Sequence, residues 1–260
     1  MTPPLFTVII PTYNRAYIIE EAIESILCQG IDPIQILVID DGSTDNTQEV
    51  LSPYFGQIDY YYQKNQGAST ARNKGFELAK GEFVCLLDSD DIYRKDKLRK
   101  ELSLFRQYPE VDLVISPTGQ FKDNSSTPIS TIRDELKMVK SPTFLSELHP
   151  WWHIGNIAPT CGHTFRRSFL KSNPQVRYDT NLSTWEDWDF AAKCYYYGTA
   201  MLLPDVTSIV RCFPDDTRGK RHIPGQPRTA EQEAYRKQNW EKVAQRVTKM
   251  IGSKEQPAYH

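Results

Sequence analysis

Cysteine is scarce in this chain and poorly placed for cross-linking. The 260 residues hold five, Cys28, Cys85, Cys161, Cys194 and Cys212, odd in number, widely spaced and without a Cys-x-x-Cys pair. A reducing compartment fits that pattern, and a cysteine metal site does not. An excess of charge is missing too: 31 Lys and Arg face 33 Asp and Glu, a formal net charge of −2. That balance argues against nonspecific nucleic-acid binding as the main task. It leaves room for a small anionic ligand, which needs only a local positive field. No stretch reaches the ~18 apolar residues of a membrane-crossing helix. The start of the chain has no basic segment leading into a long apolar region, so no signal peptide is expected. The expected location is the cytoplasm, with peripheral attachment to the inner face of a membrane open through a partner or acceptor. Internal repeats and clear linkers are also lacking.

What is present suffices for a core. Hydrophobic residues make up 39% of the chain and aromatics 12%, which excludes global disorder. The length allows one large domain or two small ones. Strand and helix patterns alternate through the first half. Phe6 to Ile10 is a β-branched apolar run expected to stop at Pro11, and Ile19, Ala22, Ile23, Ile26 and Leu27 share one helical face. Ile34 to Ile39 reads as a buried strand, Tyr60 to Tyr62 as a third and Phe83 to Leu87 as a fourth. Helices are expected between Gly67 and Gly81 and from about Lys95 to Gln107, and another strand at Val111 to Ile115. Such repeats imply an α/β fold with a mostly parallel sheet covered on both faces. Ligands of such sheets bind outside the carboxyl ends of the strands. Tyr13, Asp40, Asp41, Asp88, Asp90 and Asp91 all follow strand ends, so they are expected to converge at one edge.

The pattern breaks after Ser116. Residues 117–150 read as a polar excursion or hairpin. A helix is expected after Trp185-Glu186-Asp187-Trp188-Asp189, with short strands at Ala200–Leu203 and Thr207–Cys212. Residues 214–228, with Arg218, Lys220, Arg221 and His222, read as a mobile basic loop. A last helix from about Thr229 to Ile251 carries an apolar stripe of Trp240, Val243, Val247 and Ile251, expected to pack on the parent domain. The whole divides into residues 1–116, 117–213 and 214–260 of one integrated domain.

The sharpest chemical signal is Leu87-Asp88-Ser89-Asp90-Asp91 at the end of a buried strand. Clustered carboxylates repel and are costly to desolvate, and a hard divalent cation relieves both penalties. A solvated Asp-rich turn is the plainer alternative. His149 and His153 flank Trp151-Trp152 but offer no third metal ligand, and His163 reads as structural.

Four linked motifs carry a resemblance. They are Val8-Ile9-Ile10-Pro11-Thr12-Tyr13-Asn14-Arg15, Val38-Ile39-Asp40-Asp41-Gly42-Ser43-Thr44-Asp45, Asn65-x-Gly67-Ala68-Ser69-x-Ala71-Arg72-Asn73-x-Gly75, and the Asp88 cluster. In this order and spacing, over about residues 5–115, they resemble glycosyltransferase family 2, the inverting enzymes that use nucleotide sugars on a GT-A fold. The resemblance implies a Rossmann-like sheet with a smaller acceptor-side subregion. It assigns the nucleotide sugar, UDP favoured, to Pro11, Tyr13, Arg15, Asp40, Arg72, Asp88 and Asp90. Tyr13 would stack on the base, or else pack at a strand end. Arg72 would reach the base or diphosphate, or else only charge a helix face. Asp40 would contact the base or ribose, Asp41 would hold the Gly42 turn and cap a short helix, and that local role is the plainer reading of both. The resemblance further implies Mn²⁺ or Mg²⁺ at Asp91 and Asp90, and Asp187 as the base for the acceptor hydroxyl.

Glu186, Trp185 and Trp188 would support that base or meet the acceptor, a glycan or a lipid-linked glycan. The plainer reading of Glu186 and Asp187 is a pair of acids favoured at a helix start. Arg218 and His222 would belong to a lid, or to a solvated charge run. A non-catalytic module that binds nucleotide or glycan is the alternative function. A sugar nucleotidyltransferase ranks lower, because the turn Pro11 to Arg15 lacks glycine.

Overall fold

The computed structural model describes residues 3–121, 129–130, 139–145, 158–211 and 230–254. The four leading strands are β1 (Phe6–Thr12), β2 (Ile34–Asp40), β3 (Ile58–Tyr62) and β4 (Phe83–Leu86). Between them lie helices α1 (Ile19–Leu27), α2 (Thr47–Leu51) and α3 (Ala68–Leu78). Then come β5 (Ile92–Tyr93), α4 (Lys97–Gln107), β6 (Leu113–Ile115), β7 (Thr118–Phe121), β8 (Ile129–Ser130) and β9 (Thr143–Phe144). The remainder is β10 (His163–Arg166), α5 (Arg167–Ser172), α6 (Glu186–Tyr197), β11 (Ala200–Leu202), β12 (Ser208–Arg211) and α7 (Ala230–Lys254).

The main sheet has the order β3-β2-β1-β4-β10-β6-β11-β9. β3, β2, β1 and β4 run parallel, as do β6 and β11. β10 is antiparallel to both neighbours, and β9 is antiparallel to β11. The expected α/β architecture, mostly parallel with helices on both faces, is therefore present, with β10 as the strand that interrupts its direction. A smaller sheet, β5-β12-β7-β8, forms the side region. Its β7 and β8 pair as a hairpin within the expected excursion.

Alternation along each strand splits the core in two. Phe6, Val8 and Ile10 pack with Ile19, Ile23 and Ile26 of α1 and Leu98, Leu102 and Phe105 of α4. Ile9, Leu37 and Ile39 pack with Ala71 and Phe76 of α3, Phe169 and Leu170 of α5 and Phe190 of α6. A third cluster joins Leu182, Trp188 and Ala192 to Val243 and Val247 of α7. Trp240, expected on that stripe, is 47% exposed, and Asn239 is buried in its stead. At 100° per residue Trp240 lies at the margin of the Val243–Val247 stripe, where the opposing surface runs out.

Pro11 does not stop β1, which continues to Thr12. β1 pairs with β2 throughout but with β4 only from Phe6 to Ile9. Beyond that point a residue without an N–H leaves no bond to β4 unmade. β1 and β4 part there, and the carboxylate cluster follows directly. Among the described residues no helix is long and apolar enough to cross a membrane. Cys28, Cys85, Cys161 and Cys194 are free thiols, and Cys212 lies outside the described residues.

Candidate active site

The turns after β1 and β2 are built as one unit. Asn14, in the left-handed region at φ +52°, accepts from the Thr44 N–H at 2.7 Å. Its own N–H donates to Ser43 Oγ at 2.9 Å, and the Ala16 N–H donates to Asp45 at 3.1 Å. This bracing leaves Tyr13 45% exposed, with a ring face available for stacking.

The two neighbouring aspartates divide the work differently from expectation. Buried Asp40 holds the Gly42 turn, accepting from the Ser43 N–H at 2.8 Å, and also accepts the Tyr60 hydroxyl at 2.7 Å. Asp41 instead organises the segment entering α3, accepting from Gln63 Nε2 at 2.7 Å, the Gln66 N–H at 2.9 Å and the Gly67 N–H at 2.7 Å. The start of α2 is met by Asp45, which accepts from the Thr47 N–H at 3.1 Å. Gly42 has φ +82°, and a Cβ there would sit 2.7 Å from the Asn65 nitrogen, so the turn requires glycine.

At the end of β4 each carboxylate has its own setting. Asp88 pairs with Arg72 at 2.6 Å, and Asp90 lies 3.9 Å from the Arg15 Nε. Asp91 is buried and meets neutral donors, the Arg211 N–H at 3.0 Å and the Cys161 thiol. Burial, then the Asp88 and Asp90 charges, hold its pKa well above the ordinary carboxylate range. Asp91, buried and crowded by the Asp88 and Asp90 charges, is with Asp90 the pair of residues that could hold a divalent cation here. Among the described residues no group of three His, Cys, Asp or Glu side chains is placed to hold a metal ion.

The second half reaches this edge through α6. Trp185, just before the helix, has φ +67°, a strained conformation for a bulky residue. Glu186 and Asp187 follow at the positive end of the helix dipole. Asp187 Oδ1 accepts from the Trp188 N–H at 2.8 Å. Burial and then the Asp187 charge raise the Glu186 pKa.

Arg72 ties the two ends together. Its guanidinium bonds Asp88, lies 5.2 Å from the Tyr178 ring centroid, and interacts electrostatically with Glu186. Burial, the largest single influence, lowers its pKa, but the Asp88 charge and hydrogen bond, together with Tyr178 and Glu186, raise it above the ordinary value. Asn73, beside it, donates to the Tyr178 carbonyl at 2.9 Å and accepts the Tyr178 N–H at 2.9 Å.

Asn73 lay within a quoted motif without a role, whereas Tyr178, Cys161 and Arg211 gave no local signal. His163 is structural as expected: it is buried and 2.8 Å from the Tyr195 hydroxyl. Arg218 and His222, with the rest of the basic loop, lie outside the described residues, as do His149, His153 and the Trp151-Trp152 pair.

The sequence profile of Glycosyl transferase family 2 matches residues 7–172, more than half of the chain. The chain belongs to this family. An uncharacterized glycosyltransferase of Nostoc sp. is 32% identical over 205 residues, covering 75% of this chain and 59% of that protein. The putative teichuronic acid biosynthesis glycosyltransferase TuaG of Bacillus subtilis is 41% identical over 109 residues, 40% of this chain and 43% of TuaG. Among solved structures, S. aureus TarS 1–349 in complex with UDP-GlcNAc superposes with a TM-score of 0.73 at 22% identity, covering 95% of this chain and 66% of that one. The likeness to TarS shows the same GT-A fold. The family 2 chain described here spans only part of its first curated relatives, from 23% to 59% of their lengths.

Proposed function

We propose that this family 2 protein transfers a sugar from a UDP-sugar to an acceptor hydroxyl with inversion at the anomeric carbon. The observation that carries the reading is Arg72. Through Asp88 at 2.6 Å and Tyr178 and Glu186 on its other side, it couples the donor-side carboxylates to the Glu186-Asp187 pair. A binding module has no need to join those two ends.

In this reading Tyr13 stacks on the base. Asp40, held by Ser43 and Tyr60, shapes the pocket for the base and ribose, and Pro11 and Arg15 line the same turn. Asp187 accepts the proton of the attacking hydroxyl, and its place at a helix start lets it approach from outside the sheet edge. Burial, then the Asp187 charge, raises the Glu186 pKa beside that base. Asp91 and Asp90 would hold Mn²⁺ or Mg²⁺. When bound, the ion supplies Lewis-acid stabilisation of the departing diphosphate.

Binding of UDP-GlcNAc by TarS supports UDP as the nucleotide and makes UDP-GlcNAc the first donor to test. The TuaG relative supports a glycan or lipid-linked glycan as acceptor, in polysaccharide biosynthesis. Such an enzyme would work in the cytoplasm, at or near the inner membrane face.

The test is nucleoside diphosphate release from a panel of nucleotide sugars, with Mn²⁺, Mg²⁺ or chelator. Release from one donor, lowered about 100-fold or more in Asp187→Asn with UDP affinity kept within about twofold, is expected. Undiminished release in that variant refutes the assignment of the base.

A further inference from the structure

We propose that Arg246, on α7, is a positioning residue for the Glu186-Asp187 pair. The proposal rests on the reading of Asp187 as the base. The family profile ends at residue 172, before any part of this arrangement.

Asp179 precedes the pair in sequence and Asp189 follows it. The Arg246 guanidinium reaches both, at 2.8 Å from Asp179 Oδ2 and 3.0 Å from Asp189 Oδ1. One cation therefore closes the two ends of the segment that bears the pair. Asp189 is 2% exposed, and its second oxygen is 2.5 Å from Lys193 Nζ. Without Arg246 a buried carboxylate keeps half of its charge compensation, so the segment would relax to find another partner or water.

The rest of α7 touches the same segment, residue by residue. The Tyr235 and Ser183 hydroxyls are 2.7 Å apart, and Asn239 Nδ2 donates to Thr184 Oγ1 at 3.2 Å. The Arg236 guanidinium lies 4.9 Å from the Trp185 ring centroid. These contacts cover the residue at φ +67°, whose strain persists only where its surroundings hold it. On the far side Asn73 fixes the Tyr178 backbone with two hydrogen bonds. The segment is thus pinned to α3 at one corner and to α7 along its length, and Asp187 lies between.

Apolar packing and the ion pairs have separate tasks. Val243 and Val247 against Leu182, Trp188 and Ala192 hold α7 in place, without direction. Arg246 supplies the direction, because its Nη1 meets both carboxylates at once, and such charge-assisted hydrogen bonds hold only over a narrow range of orientations. A base displaced by about 1 Å loses on the order of 100-fold in rate.

Three variants test this on the full chain. Arg246→Met keeps the stem and removes the charge, Arg246→Lys keeps the charge but not the position of Nη1, and Val247→Ala weakens packing alone. The readouts are donor turnover, UDP affinity and amide hydrogen exchange across residues 183–190. In Arg246→Met, kcat should fall about tenfold or more with donor KM and UDP affinity within about twofold. Exchange at 183–190 should speed about tenfold while β1 and β4 stay unchanged. Arg246→Lys should recover part of both, and Val247→Ala should keep kcat within about twofold. Unchanged exchange at 183–190 in Arg246→Met overturns the proposal whether or not any donor is turned over. So does local loosening with kcat intact, or an equal loss of kcat in Val247→Ala. If the wild-type protein turns over no donor, the enzymatic reading fails separately, and the exchange result still decides what Arg246 holds.

Discussion

Lys97 and Glu101 form an ion pair whose removal should cost far more than its spacing suggests. They stand one turn apart on α4, 2.5 Å from Nζ to Oε1, and both side chains are wholly buried. An exposed pair of this spacing contributes about 0.3–0.5 kcal/mol. Here both groups are shielded from bulk solvent, and polar groups from three other parts of the chain complete the site. Glu101 Oε2 accepts the Thr164 hydroxyl at 2.7 Å, and Lys97 Nζ lies 3.4 Å from Thr207 Oγ1 and 3.5 Å from Ser116 Oγ. The ammonium also sits 5.0 Å from the Tyr93 ring centroid, and Tyr93 donates to the Leu86 carbonyl at 2.9 Å, just before the carboxylate cluster.

Lys97→Met keeps the length of the side chain and strands the Glu101 charge. The cost should be about 3–5 kcal/mol, or roughly 6–10 °C in Tm. Glu101→Leu should cost a similar amount. The double variant should return to within about 1 kcal/mol of the wild type, because the stranded charge is gone from both sides. Urea unfolding of the four proteins gives the coupling directly. Single losses below about 1 kcal/mol, or a double loss equal to their sum, would refute the desolvation argument.

Two further tests probe the interior. Burial lowers the His163 pKa to about 4, and the ring is held between the Pro159 carbonyl at 3.2 Å and the Tyr195 hydroxyl at 2.8 Å. The unfolded chain takes up this proton near pH 6.5 and the folded one only near 4. Stability from this residue is therefore complete above about 6.5 and falls as the pH drops, by about 3 kcal/mol at pH 4. Unfolding free energies of wild type and His163→Gln should diverge in slope across that window, and parallel curves would refute the assignment. At Gly75 an added Cβ would lie 2.3 Å from Ile9 Cγ2, because α3 packs directly on β1. Gly75→Ala should cost about 1–3 kcal/mol, and Ile9→Ala in the same chain should restore part of it, both read from urea midpoints. A neutral Gly75→Ala would show that the helix can lift from the sheet without penalty.

Local pattern decided a good deal about this protein. Alternating strand and helix periods implied that β1, β2, β3 and β4 belong to a mostly parallel sheet, because each period reflects one face buried against a neighbour close in sequence. Strand polarity then placed Tyr13, Asp40 and the Asp88 cluster at one edge. The linked motifs placed the chain in its family, and the helix beginning at Glu186 was legible from its acidic start.

The tertiary structure alone decided the rest. β10 enters the sheet between β4 and β6, a pairing of residues far apart in sequence that no local period encodes. Pro11 fits inside β1 only because β4 has already left it. Asp40 and Asp41 read alike in sequence, yet opposite faces of the strand end send one to Ser43 and Tyr60 and the other to Gln63, Gln66 and Gly67. Which carboxylate meets Arg72, and which pair meets Arg246, depends on how α3 packs on the sheet and α7 on α6. A charge shows in sequence, but its partner is chosen by packing, since the energy of an ion pair depends on distance and burial and these exist only once the chain has folded.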